Sequence, residues 1–322
     1  MGLAFPGGPR ERVGVNDSAA LEHPLRRLYE AMGHRAWSRH GVLWIAVGRF
    51  SLMAIPSVRP VEVEAGEMGD LLVETGRSAA VFLAARSTGV EGAAYVVRDK
   101  GYGLGSLQRQ FRQSLRRGQE DCEVRPLGWE EWRARGPAVN VAALRRRGEG
   151  GSAYGDAAGW EKICGAAAAV AGLEVLGCFC RGELAAYLLS WTEGGICEGL
   201  VAHWSDRFGE SRPCHVLYYE FARQMMAREG ICEVNVGRQS LPARAGLDRF
   251  KRQAGYGREA FPLGVYLHPR LAWLAENSWV LGGLEALHRR VGPRLGFLEN
   301  VEVLRAAEVV RRGLRREEDL GG

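Results

Sequence analysis

An α/β chain of the α+β kind, made of two tandem halves with mixed, mostly antiparallel central sheets and a helical C-terminal tail, is predicted by three features of this 322-residue sequence. Strand-like and helix-like segments alternate through both halves. In the second half, three strand-like runs joined at Arg181-Gly182-Glu183 and Gly194-Gly195 read as an antiparallel meander, followed by helix, strand, helix and strand. Between the halves, residues 136–159 hold Arg145-Arg146-Arg147 and the run from Gly148 to Ser152, which is turn chemistry without an apolar period. The expected division is a frayed terminus at 1–20, a first half at 21–145, a linker at 146–158, a second half at 159–270 and the tail at 271–322.

In the first half, Leu25, Leu28, Tyr29 and Met32 predict a helix over 24–37. Residues 41–47 and 50–55 read as a hairpin around Gly48-Arg49, ended by Pro56 and Pro60. A helix at 68–76 and strands at 79–85 and 93–97 follow. The glycine-rich run Gly101 to Gly105 enters a helix reaching about Arg117, whose stripe is Leu104, Leu107, Phe111 and Leu115. Its third glycine comes one place early for a dinucleotide fingerprint, which argues against a nicotinamide enzyme. A strand at 122–127 and a helix at 129–135 complete this half.

The second half opens with an alanine-rich helix at 159–171 and strands at 174–180, 184–191 and 196–204. A helix over 214–228 carries Cys214, Leu217, Tyr218, Phe221, Ala222 and Met225 on one side. Then come a strand at 231–237, a helix at 248–254 stopped by Gly255, and a closing strand at 260–267. Two further helices, 271–291 and 298–316, form the tail. The second has a Val303, Ala307, Val310 and Leu314 stripe and a basic end at Arg311–Arg316 read as a solvated helix terminus.

Hydrophobic content of 46% and charged content of 25% are those of an ordinary globular protein. The net charge of +5 favours anionic ligands without establishing nucleic-acid binding. Only Lys100, Lys162 and Lys251 are lysines among the 43 basic residues, so Lys251 is conspicuous. The seven cysteines lack a C-x-x-C pair and read as buried small hydrophobes, neither metal ligands nor a disulfide framework. Without an apolar leader at residues 1–14 or a run long enough to span a bilayer, the expected location is cytoplasmic, with no membrane span.

The run Val236-Gly237, then Leu247, Phe250-Lys251, Gly255 and a closing strand resembles the GNAT acyltransferase superfamily, and within it the Fem-like (FemAB-related) branch, whose members carry two GNAT-type halves. The resemblance covers roughly residues 40–270. It implies an N-acyltransferase, moving an acyl group to a small-molecule or peptide amine by direct attack. No cofactor is permanently bound, and an acyl-CoA is the co-substrate. The Fem-like alternative is an aminoacyl-tRNA donor, the one case that brings in nucleic acid. A non-catalytic GNAT-shaped module that binds an anionic partner is the reading from a different class.

Candidate residues follow. The loop Ser205–Pro213 before a helix start suits donor phosphates, giving Arg207, Gly209, Ser211 and Arg212. It departs from the family's Q/R-x-x-G-x-G/A loop, since Gly209 comes one residue early and Ser211 replaces a glycine. The resemblance suggests Lys251 as a cation near the reacting carbonyl or a donor phosphate, and Tyr218 or Tyr219 as the source of the leaving-group proton. Arg109, Arg112 and Arg116 read as a phosphate clamp on the acceptor, and Asn235, Arg238 and Gln239 as substrate-binding residues at a strand end. The base stays open among Glu198, His203 and His215, and no cysteine acts as nucleophile.

Overall fold

The computed structural model describes residues 22–273 except 40, 87, 89, 149–151 and 240–244, together with isolated positions beyond 273 that include 303–304 and 306–310. In chain order the elements are α1 (Arg26–Ala31), β1 (Ala36–Arg39), β2 (Val42–Val47), β3 (Ser51–Ile55), α2 (Ala65–Thr75), β4 (Ala79–Leu83), β5 (Glu91–Val97), α3 (Arg109–Asp121), β6 (Cys122–Leu127) and α4 (Trp129–Arg147). They continue with α5 (Ala157–Ala168), β7 (Leu173–Cys180), β8 (Glu183–Glu193), β9 (Ile196–Trp204), α6 (Pro213–Met226), β10 (Glu233–Arg238), α7 (Ala245–Gln253) and β11 (Gly257–Leu267). The α+β class and the second-half order of meander, helix, strand, helix, strand are as the sequence predicts.

All eleven strands join one sheet in the order β1-β2-β3-β4-β11-β5-β10-β9-β8-β7-β6. The two halves therefore interlock. β11, the last strand of the second half, lies between β4 and β5 of the first, while β6 of the first lies outside β7 of the second. Lys100 adds another tie, because its ammonium donates to the carbonyls of Met226 (2.9 Å), Arg228 (3.1 Å) and Ile231 at the end of α6.

Strand residues alternate between two faces. On one, Tyr95, Val97, Val234 and Val236 meet Phe111 and Leu115 of α3 and Leu217, Phe221 and Met225 of α6. On the other, Tyr187, Leu189 and Trp191 of β8 meet Leu28 of α1, Trp132 of α4 and Trp160 of α5. Val303, Ala306, Ala307 and Val310 are buried against Val81, Leu83, Ala94 and Val96, so the apolar stripe expected in the tail is real where it is described. Leu314, the 311–316 basic end and most of the predicted 271–291 helix lie outside the described residues.

Several boundaries differ from the sequence reading. The helix expected over 24–37 stops at Ala31, and Ala36–Arg39 is instead a strand paired with β2. Residues 136–147 belong to α4, which continues through Pro137 because Trp132, Gly136, Val139, Asn140 and Ala143 form its buried stripe. Gly136 is required there by packing, since a Cβ would sit 2.5 Å from the Trp160 ring. The connection between the halves is thus shorter than 146–158, with Gly148 capping α4 in the left-handed conformation and α5 starting at Ala157. In α6, Val216 and Tyr219 take buried places that the sequence stripe gave to Cys214 and Tyr218.

The cysteine reading is corrected at one pair. Cys122 of β6 lies directly opposite Cys180 of β7, with Cα atoms 4.2 Å apart, and the two form a disulfide; Cys164, Cys178, Cys197, Cys214 and Cys232 are free. An odd count with no local spacing conceals such a pair, because strand register brings it together across 58 residues. Among the described residues no helix is long and apolar enough to cross a membrane.

Two measurements check this bridge. Denatured, unreduced protein is expected to take up five equivalents of an alkylating reagent and reduced protein seven, one for each cysteine. Closing a loop of 58 residues is worth about 4 kcal/mol in the chain-entropy limit. Reductant should therefore lower the melting temperature of the wild type and leave Cys122→Ser unmoved; seven equivalents without reductant would rule the bridge out.

Candidate functional site

The site is set by how briefly β9 and β10 stay together. They run parallel and pair at Ile196/Glu233, Cys197/Val234 and Glu198/Asn235. Immediately beyond, β9 carries an extra residue against β8, since Gly199 pairs with Ser190 but Val201 with Leu189, leaving Leu200 as a bulge. β10 is irregular at the same level: its register against β5 shifts between Asn235 and Arg238, and Gly237 there has φ +82°. Bulges bend the strand that carries them, so the two strands part after their third pair.

The parting opens a cavity of about 120 Å³ lined by Leu188, Gly199, Leu200, Val201, Ala202, Tyr218, Val236, Leu247 and Lys251. Backbone groups of the diverged strands are available beside it. Tyr218 stands edge-on to Phe250, and that ring also contacts Phe111 and His215. Burial pushes the Tyr218 phenol well up, which keeps it an O–H donor.

Lys251 is only 4% exposed and faces the Tyr95 ring at 4.9 Å. Burial pushes its ammonium down to about 8, opposed by Asp248, which favours the charged form. Asp248 is itself buried and accepts from Gln239 Nε2 (3.0 Å), so Gln239 serves to hold the carboxylate beside the lysine. The Lys251 value lies above neutral pH, so the ammonium is the favoured form there.

Behind the lysine, on the other face of the sheet, stand Glu198 and Asn235. Glu198 is opposite Trp191 and Asn235 opposite Val96, and both of those neighbours belong to the far-face core. Glu198 Oε1 accepts the Ser57 hydroxyl (2.7 Å) and amide (3.2 Å), and burial raises the Glu198 carboxyl. The sequence named Glu198 only as one of three bases. His203 is instead held in the core by Asn140 and Tyr187, with burial lowering it to about 3, while His215 lies tilted against the Phe111 ring and is lowered by burial to about 4. Ser57 escaped the sequence reading altogether, since nothing local signals a contact 141 residues away.

The predicted phosphate loop has its side chains committed elsewhere. Residues Asp206–Ser211 form a 3-10 turn, Arg212 has φ +53°, and Pro213 starts α6. Arg207 makes a two-pronged pair with Glu183 (2.6 and 3.0 Å), and Ser211 is buried and donates to Asp121 (2.7 Å). That carboxylate would oppose a phosphate at Ser211. Gly209 faces open space, and Arg212 has no carboxylate partner among the described residues.

Arg109, Arg112 and Arg116 lie along α3, Arg109 and Arg116 exposed and Arg112 half-buried, none paired with a carboxylate among the described residues. The exposed Arg249 of α7 is close by, because the Gln108 amide and the Gln110 side chain tie α3 to Gln253 (3.0 and 3.1 Å). Lys251, Tyr218, Asn235, Arg238 and Gln239 are thus gathered at the strand parting. The α3 arginines form a separate basic surface beside the Phe111–Phe250 contact.

No protein-family model matches the chain, and no curated protein matches it in sequence. Among solved structures, it is similar to a conserved protein of unknown function from Bacteroides thetaiotaomicron, at 11% identity over 76% of this chain and 88% of that one, with a TM-score of 0.51. It is also similar to FemX, at 13% identity over 79% and 93% with a TM-score of 0.47, and to L-PGS from Bacillus licheniformis, at 13% over 76% and 87% with a TM-score of 0.46. At such identities the likeness is one of fold.

Removing the Lys251 charge tests the burial. Its folded-state value near 8 lies below the ordinary 10.5, so the cost of burying the ammonium is fully present below pH 8. Stability is regained as pH rises from about 8 to 10.5. The difference in unfolding free energy between wild type and Lys251→Met is expected to move by ~3 kcal/mol in favour of wild type across that window. A pH-independent difference would mean that the ammonium is solvated.

Proposed function

We propose that the protein is an acyltransferase that transfers an acyl group to an amine by direct attack at the parting of β9 and β10. The observation that carries this reading is the buried, mostly charged Lys251 at an opening lined by Tyr218 and by strand edges freed from pairing. The donor carbonyl enters the opening. As the amine nitrogen bonds to the carbonyl carbon, negative charge gathers on the carbonyl oxygen, and a fixed ammonium and backbone N–H groups stabilise it. Collapse breaks the bond to the leaving group, which departs with the electron pair and takes a proton from the neutral Tyr218 hydroxyl. The nitrogen, cationic once bonded, gives its proton to the Tyr218 phenolate, directly or through water, so that the enzyme ends as it began. No thiol is needed, and burial raises Cys178 to about 12 and Cys197 to about 11, far from a reactive thiolate.

Turnover by Lys251→Met, with saturating donor and intact folding, is expected to fall about a hundredfold. The wild-type rate should decline as pH rises through about 8, where the ammonium is lost, and Lys251→Arg should carry that decline to higher pH. A loss of less than about threefold in Lys251→Met would take the lysine out of the transition state.

On the donor, one observation favours the aminoacyl-tRNA reading over acyl-CoA. Arg207 and Ser211 are occupied by Glu183 and Asp121, while Arg109, Arg112, Arg116 and Arg249 offer guanidinium groups free of carboxylates on one surface. Such a surface suits the phosphate backbone of a large polyanion. Reversing Arg109, Arg112 and Arg116 to Glu should weaken tRNA binding and flatten its salt dependence. Retained tRNA affinity, or CoA affinity that falls in Arg212→Ala, would return the acyl-CoA donor to first place.

A further inference from the structure

The far face of the sheet at the strand parting carries polar atoms that nothing in the protein satisfies. Glu198 is 4% exposed, with Oε1 fixed by both donors of Ser57 and Oε2 without a partner. Asn235 is fully buried directly across from it; its Oδ1 accepts from the Gly237 amide (3.4 Å) and its Nδ2 has no partner. Arg238 follows on β10, opposite Ala94 and therefore on the same face; its Nη1 donates to the Gln239 carbonyl (3.3 Å), and its Nε is sealed from water and unpartnered. Buried polar groups are almost always hydrogen-bonded. Here one acceptor and two donors go without on neighbouring positions of two strands, at the level where those strands separate.

The chemistry of the three atoms is specific. A carboxylate oxygen held by Ser57 calls for a cation or a strong N–H donor, whereas an amide N–H and a guanidinium N–H together call for an oxygen. We propose that Glu198, Asn235 and Arg238 form the acceptor subsite, and that the acceptor is a primary amine bearing a carbonyl or carboxylate oxygen on the adjoining carbon, an α-amino carbonyl compound. Its ammonium meets Glu198 Oε2, and its oxygen receives Asn235 Nδ2 and Arg238 Nε. This rests on the acyl-transfer reading for its consequence: Glu198 takes one proton from the ammonium, leaving a free amine whose lone pair attacks the donor carbonyl through the gap toward Lys251. Gly199 and Val236, the next residues along from Glu198 and Asn235, line the opening that Lys251 also lines, so the subsite adjoins it.

Direct binding tests the subsite without turnover. L-alaninamide carries both groups, while propylamine and propionamide each carry one. Calorimetry on the full chain should find alaninamide bound at least tenfold more tightly than either, with that binding weakened at least tenfold in Glu198→Gln and in Asn235→Asp. Both variants keep the side-chain shape, and circular dichroism checks their folding. Equal binding by Glu198→Gln, equal binding of the one-group probes, no binding at millimolar alaninamide, or a crystal structure showing only an ordered water bridging the three atoms would each overturn the proposal. A protein that acylates other amines but ignores alaninamide loses the subsite and keeps acyl transfer. One that binds alaninamide and turns over no donor keeps the subsite and loses acyl transfer.

Discussion

Much of what is distinctive in this molecule follows from the bulge at Leu200. Parallel strands that share a continuous ladder satisfy each other's backbone and leave no room between them. β9 and β10 share three pairs, and then Leu200 is left unpaired against β8 while β10 shifts against β5 around Gly237. The consequences are chemical as well as geometric. Backbone groups lose their partners, Lys251 and Tyr218 gain an opening to face, and Glu198 and Asn235, the last paired residues, stand at its threshold. The left-handed conformation of Gly237 is part of the same arrangement, since an L side chain is strained at φ +82°.

An opening in the middle of a sheet needs rigid walls, and the interlocked topology supplies them. β5 of the first half flanks β10, and β11 of the second half is clasped between β5 and β4, so neither half contains the whole site. Ser57 and Tyr95 come from the first half; Glu198, Asn235, Asp248 and Lys251 come from the second. Each cross-half contact fixes a group with some freedom of its own: Ser57 fixes which carboxylate oxygen of Glu198 is left over, and the Tyr95 ring and Asp248 hold the lysine. Lys100 and the Cys122–Cys180 bridge tie the same halves at the other end of α6 and at the β6 edge.

The electrostatics of the opening differ from those of the surface around it. Lys251 at the opening and Glu198 behind it are both displaced toward neutrality by burial, each drawn back by a close partner, Asp248 for the lysine and Ser57 for the glutamate. Such poised groups are what proton and charge transfer require. On the surface, arginines are either spent on carboxylates, as in the pairs Arg207–Glu183 and Arg228–Glu174, or free, as along α3. The free ones surround α3 and α7, the helices whose Phe111 and Phe250 rings lead inward to Tyr218.

The sequence by itself determined which segments are strands and helices wherever periodicity is strong: the β2–β3 hairpin, the β7–β9 meander, α6, α7 and β11 all lie where apolar spacing put them. It also singled out Lys251, from its rarity and its family-like setting, and placed Asn235, Arg238 and Gln239 at a strand end. These are local properties, written in spacing and turn residues. What only the tertiary structure decided is which strands become neighbours and in which register. That decision put β11 between β4 and β5, paired Cys122 with Cys180, carried α4 through Pro137 because Trp160 packs against Gly136, and brought Ser57 to Glu198. It also committed Arg207 and Ser211 to carboxylates from distant segments. Partners 24 to 141 residues apart leave no mark on local pattern, because burial and register are properties of the assembled sheet.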